Sequence, residues 1–458
     1  MSLGRLFLLT ALSLALNGHL VAAEPAVESA SVSYYREIRP IFVQNCQGCH
    51  QPAKSSGGYV MTSHADILTK GDSEEAPIVP GKPQESFLVA QITSQDGQPP
   101  VMPRGKDRLP EPQVKLIKKW IEQGAKDDTP PSARLAPVDA DHPPIYALPP
   151  VITSIDYSPD GTLLAVSGYH EVLLHHADGS GLVARLVGAS ERIQSLAFSP
   201  DGKRLAVTGG NPGRFGEVQV WDVAKRKLVL SVPVTFDTLY GVSWSGDGSK
   251  IAFGCADNTL RAIDATTGSQ ILYQGAHSDW VLGTVFSADA THVVSISRDR
   301  SMKLTEVATQ RFIDNITSIT PGALKGGLLT VSRRPQKEKK MAKVPPDTPG
   351  AAPKIYDELL IGGSDGVPRL YKMHRETKRV IGDDANRIRE YEAMPGRIYA
   401  GCFSADGSLL AVGSSLDGRG EVRVYQAENG KRVSTFEGEK GAVYTVRFHP
   451  DGKQAASA

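Results

Sequence analysis

Cysteine is scarce: Cys46, Cys49, Cys255 and Cys402 are the only four in 458 residues, far too few for a disulfide-built scaffold. No run of 18 consecutive apolar residues occurs, which excludes a membrane-spanning helix of ordinary length. An excess of one charge is also missing. The 51 basic residues nearly cancel 50 acidic ones, so no global field points to nucleic acid or to an anionic membrane. There is no glycine-rich phosphate loop, no G-x-S-x-G elbow and no histidine pair at metal spacing, because the neighbours His175 and His176 point to opposite faces of a strand. Glycine and proline are plentiful, at 45 and 31 residues, and this turn-rich composition favours short strands over long helices. The length predicts several globular units.

The amino terminus has a basic start at Arg5, an apolar run from Leu6 to Leu16, and small residues at Val21-Ala22-Ala23 before Glu24. That order predicts a cleavable signal peptide over residues 1–23 and export, to the periplasm or an equivalent space, of a chain with no further span. Cys255 and Cys402 each lie in an apolar stretch and read as small buried hydrophobes rather than a disulfide.

The most specific chemistry is in Cys46-Gln47-Gly48-Cys49-His50, a C-x-x-C-H haem attachment pattern. The i, i+3 spacing puts both sulfurs on one side of a turn, where they can form thioethers with haem vinyl groups while the adjacent imidazole reaches the iron. A zinc tetrahedron lacks its second pair of ligands, and a thioredoxin-like pair lacks its βαβ surroundings. The cofactor expected is therefore haem c, with His50 as one axial iron ligand. Met102, held between prolines in Pro100-Val101-Met102-Pro103, is the best candidate for the second. Met61 and His64 are its rivals, Met61 reading more plainly as packing and His64 as a solvated residue or helix cap. Tyr35, Ile38, Ile41 and Phe42 upstream, and Val114, Ile117, Trp120 and Ile121 downstream, form two apolar helical stripes around the motif.

Arg36-Glu37-Ile38-Arg39-Pro40-Ile41-Phe42, the haem motif, Ile78-Val79-Pro80-Gly81-Lys82-Pro83, Met102-Pro103 and Trp120-Ile121-Glu122-Gln123-Gly124-Ala125 follow one another as in the planctomycete-type cytochrome c domain, which residues 31–126 resemble. The resemblance implies a small all-α domain, a covalent haem on Cys46 and Cys49, and His50 with Met102 as axial ligands. Met61 departs from the family, which has a plain aliphatic residue there.

Residues 127–150 contain seven prolines and read as a semi-rigid linker. Beyond it, Tyr157-Ser158-Pro159-Asp160-Gly161 recurs in related form at Phe198, Trp244, Phe286, Phe403 and Phe448, at intervals of 41, 46, 42, 117 and 45 residues. The long interval hides a degenerate copy at Leu359 to Gly366. With Trp221-Asp222 as the one intact dipeptide, residues 151–458 resemble the WD-repeat family, which implies an all-β propeller of about seven blades. Only six residues follow Gly452, so the last blade is expected to be incomplete and the chain a fragment of a longer protein; Ile145 to Leu148 is a candidate for one closing strand. A basic, proline-rich insertion at 333–353, with Arg333, Arg334, Lys337, Lys339, Lys340 and Lys343, reads as a solvated loop, with a basic docking patch as the alternative. His277, with Asp299, is expected to brace its blade.

The function expected is single-electron transfer by an exported c-type cytochrome, an electron-transfer protein rather than a self-contained enzyme. Its redox partners would be proteins, with the propeller as their docking platform. The alternatives are an electron-relay domain of a larger periplasmic oxidoreductase and a haem-containing scaffold or sensor.

Overall fold

The computed structural model describes residues 31–51, 54–104, 107–133, 138–320, 323–336, 340–343, 355–378, 380 and 382–458. The expected signal peptide lies outside them, as do Lys337, Lys339 and residues 344–353 of the basic insertion.

The first part is helical. A π-helical turn over Tyr34–Ile38, capped by the Ser33 hydroxyl accepting from the Arg36 amide, runs straight into α1 (Arg39–Asn45). Pro40 sits in the first turn of α1, where its missing N–H costs no intrahelical bond, so the proline marks a junction between two segments. A short hairpin, β1 (His50–Gln51) and β2 (Lys54–Ser55), follows the cysteine motif. Then come α2 (His64–Leu68), α3 (Phe87–Ile92) and α4 (Glu111–Glu122). The two apolar stripes meet. Ile38 and Phe42 bury against Ile117, Trp120 and Ile121, and the Trp120 ring stacks on Tyr34 with centroids 5.5 Å apart. Tyr35 lies outside this core, and its hydroxyl accepts from Arg214 at 3.1 Å.

The second part is almost wholly β. A seven-stranded antiparallel sheet runs in chain order through β3 (Ile155–Tyr157), β4 (Leu163–Ser167), β5 (Tyr169–His176), β6 (Leu182–Phe198), β7 (Arg204–Asn211), β8 (Phe215–Asp222) and β9 (Lys227–Thr235). It is two four-stranded units sharing one strand: β6 pairs with β5 up to Arg192 and with β7 from Arg192 onward. Four-stranded sheets follow at 239–274, 281–315, 328–390 and 397–440, and a two-stranded one at 446–457. The first strands of successive sheets pack side by side, and Val446–Phe448 lies against both Arg397–Phe403 and β3, so the series closes on itself as in a WD propeller.

The recurring turn has one chemistry. Ser158, Ser199, Ser245, Ser287 and Ser404 each donate to the aspartate two residues on. Next comes a left-handed residue, glycine at Gly161, Gly202, Gly248 and Gly407 but alanine at Ala290. His277 does brace its sheet, with Nδ1 2.9 Å from Asp299 and Nε2 2.8 Å from the Ser295 hydroxyl. Cys255 and Cys402 are free and buried, as expected.

Two expectations need correction. Ile145 to Leu148 forms no strand: Ile145 and Leu148 are exposed, and Tyr146 instead donates to the Glu171 carboxylate at 2.7 Å. The neighbour of β3 is the two-stranded sheet, through Ile155 N to Thr445 Oγ1 at 3.2 Å, the Arg447–Asp156 ion pair and His449 against the Gly161 carbonyl. Nor are the first basic residues of the insertion a solvated loop. Arg333 ends a strand and pairs with Asp357, and Arg334 pairs with Glu358.

Candidate functional site

The backbone of Cys46 to His50 makes one helical turn, in which the amides of Cys49 and His50 both donate to the Cys46 carbonyl. This local geometry places the two cysteines on one side of the turn. They open on a cavity of about 430 Å³ whose lining includes Cys46, Cys49, His50, Met61, Met102 and Ser231. A volume of this order suits a small-molecule or cofactor site.

Nδ1 of His50 donates to the Tyr59 carbonyl at 3.1 Å, which fixes the ring and leaves Nε2 as the nitrogen with a free lone pair. Burial lowers the proton affinity of His50 below its ordinary value, with backbone hydrogen bonds to Tyr59 and Ser56 opposing it, so the neutral form of the ring is favoured. The Met102 amide donates to the Gln91 carbonyl, which ties its loop to α3, and its side chain packs half-buried on the helical core. Met61 is buried in that core, its amide bonded to the His50 carbonyl and its own carbonyl taken by Gln47. His64 is drawn elsewhere: it packs edge-on to Tyr34 and Trp120 and donates through Nε2 to the Ala125 carbonyl. The cap of α2 is Ser63, in a reciprocal capping box with Asp66. The residues present fit a covalently held haem: two thiols on one turn, an imidazole oriented from behind, and thioethers among the apolar walls. Among the described residues, no group of three or more His, Cys, Asp or Glu side chains is arranged to hold a metal ion by itself.

One wall of the cavity comes from the propeller. The buried Gly48 lies so close to β9 that a Cβ there would meet the Ser231 carbonyl at 2.7 Å and Pro233 at 3.0 Å. Around this contact Gln44 donates to the Thr235 carbonyl, Gln51 to the Ser231 hydroxyl and Lys54 to the Val229 carbonyl. The sequence did not single out Ser231, Gly48 or Gln51. Gly48 occupies a free x of the motif, and only the tertiary approach makes it a constraint.

The family model for planctomycete cytochrome C matches residues 46–104, and that for the WD domain, G-beta repeat, matches 180–222 and 430–458. The chain joins a planctomycete-type cytochrome c domain to a WD-repeat propeller. The cytochrome match points to haem binding and the WD repeats to protein interaction. Similar proteins include the WD repeat-containing protein 91 homolog of Dictyostelium discoideum, 29% identical over 109 residues, which are 24% of this chain and 14% of that one. The ribosome biogenesis protein WDR12 homolog of Chlamydomonas reinhardtii is 26% identical over 296 residues, 57% of this chain and 64% of its own length. The WD repeat and SOCS box-containing protein 1 of Mus musculus is 29% identical over 99 residues, 21% of this chain and 23% of its own length. The chain thus spans less than two thirds of each of these relatives. Among the described residues, no helix is long and apolar enough to cross a membrane.

Proposed function

We propose that this chain is an exported, periplasmic c-type cytochrome that carries single electrons, with a propeller of about seven blades as the docking platform for its protein redox partners. The observation that carries the reading is the convergence of Cys46, Cys49, His50 and Met102 on one cavity. Cys46 and Cys49 would hold the haem c through thioethers, and His50 and Met102 would be the ligands of its iron. A bound haem supplies one-electron redox chemistry, at a raised potential when its axial ligands are histidine and methionine. The chain's own contribution is to orient the His50 ring through the Tyr59 carbonyl and to exclude water with the buried side chains of the helical core. Docking fits the platform role of WD repeats, and the near-neutral charge of the chain favours proteins over nucleic acid as partners.

The test is expression in a host with c-type maturation machinery, followed by intact mass and a visible spectrum after acidic, denaturing extraction. The unaltered chain should retain its haem. The chain carrying Cys46→Ala with Cys49→Ala should lose it, and covalent haem on that variant would overturn the assignment.

A further inference from the structure

We propose that Glu217, on propeller strand β8, is a positioning residue that lowers the reduction potential of the haem site by holding a fixed negative charge behind the cavity wall; the inference rests on the haem reading above. The chain of contacts is short. Gln51, next to His50, donates through Nε2 to the Ser231 hydroxyl at 3.1 Å, and Ser231, itself a lining residue, donates to Glu217 Oε2 at 2.5 Å. The other carboxylate oxygen accepts from Ser190 at 2.7 Å and from Gln219 at 2.7 Å, and Gln219 in turn accepts from the Trp221 indole at 3.0 Å. Glu217 is only 2% exposed. Three donors aimed at two oxygens are the arrangement an ionised, acceptor-only carboxylate needs.

Comparison within the propeller makes this glutamate unusual. Glu171, buried on β5, is clamped by the guanidinium of Arg185 through two bonds of 2.6 Å. Glu421, on the strand Gly420-Glu421-Val422-Arg423-Val424-Tyr425, pairs with Arg423. The matching strand at the haem site reads Gly216-Glu217-Val218-Gln219-Val220-Trp221, with neutral Gln219 where Arg423 stands. Among the described residues no ion pair neutralises Glu217. A buried charge without a cation is costly and is usually replaced or paired; here it lies one hydrogen bond from the wall that faces the cofactor.

One-electron reduction lowers the net charge of the haem site by one, with no proton required, so a nearby fixed anion opposes it. The interaction passes through low-dielectric protein and resists salt. The full chain, matured with haem, is the material for the test, and a spectroelectrochemical titration gives its midpoint potential. Glu217→Gln, which keeps the shape and removes the charge, should shift the midpoint upward, and the shift should persist on adding salt. An unchanged or lowered midpoint overturns the proposal. If Glu217→Gln does not fold, Glu217→Asp decides: it keeps the charge but withdraws it by one methylene, so a smaller upward shift is required and its absence is equally fatal. A wild-type chain that binds no haem defeats both readings, whereas a haem-loaded chain with an unmoved potential defeats this one alone.

Discussion

Gly48→Ala separates attachment from docking. The substitution leaves C-x-x-C-H intact, and Gly48 is not in the left-handed region, so the backbone accepts alanine without strain. The entire cost is steric. The added Cβ would sit 2.7 Å from the Ser231 carbonyl, a backbone atom of a paired strand with little room to give. If the chain absorbs the contact by local shifts, overpacking of this kind costs about 1–3 kcal/mol. If the cytochrome domain backs away from β9, it loosens the bonds from Gln44, Gln51 and Lys54, each worth about 0.5–1.5 kcal/mol net. Either route gives about 2 kcal/mol of lost stability. Guanidinium unfolding of the haem-loaded full chain, followed by far-ultraviolet circular dichroism and by haem absorbance, should show an earlier midpoint with the haem still covalently bound. Unchanged stability would refute the close approach as a constraint, and loss of covalent haem would refute the division of labour between the motif and Gly48.

The two methionines should also separate. Met102→Ala should open the second axial position, so that the reduced protein binds carbon monoxide and its potential falls, at modest cost in stability. Met61→Ala, at a buried core position, should cost about 2–5 kcal/mol in denaturant unfolding and leave the visible spectrum alone; the opposite pattern would move the ligand to Met61. Acid should weaken the propeller through its turn aspartates. Burial alone would raise Asp289, but hydrogen bonds from Ser287 and Thr291 and the nearby His292 outweigh it and hold it at about 2, while Asp160, Asp201 and Asp247 are held down chiefly by their preceding serines. A carboxylate whose folded value is depressed contributes stability above the ordinary carboxylate range and loses it as pH falls through the folded value. Thermal unfolding should therefore shift downward between about pH 4 and about pH 2, and the shift should shrink in Ser287→Ala; a flat profile would show that these turns do not contribute.

What could be read from sequence was what is encoded locally. The thiol spacing and the adjacent imidazole are a contiguous motif, and the Asp-Gly turns between short apolar runs repeat at a period that suits stacked β-units. The stripes around Phe42 and Trp120 were equally legible, because helical periodicity reports burial directly. What escaped depends on chain segments far apart in sequence. Ser231 is an unremarkable strand residue until Gly48, over 180 positions away, is set against it. Glu217 left a faint signal, a carboxylate in a strand otherwise buried, but nothing local reveals that its neighbour across the interface is the haem motif. The closing contact was misplaced because Ile145 and Leu148 have strand-like side chains, while the partner of β3 comes from nearly 300 residues downstream. Arg333 and Arg334 open a charge run, and only the return of the chain at Asp357 and Glu358 supplies their acidic partners.

β6 has a mechanical consequence. A single uninterrupted ribbon of 17 residues belongs to two neighbouring sheets at once, so no hinge lies between them. The cytochrome domain rests on the far edge of that same ribbon-linked pair. Amide exchange in β4, β5, β7 and β8 should then slow or quicken in concert, and the haem should be carried by the stiffest sector of the ring, its orientation fixed before any partner arrives.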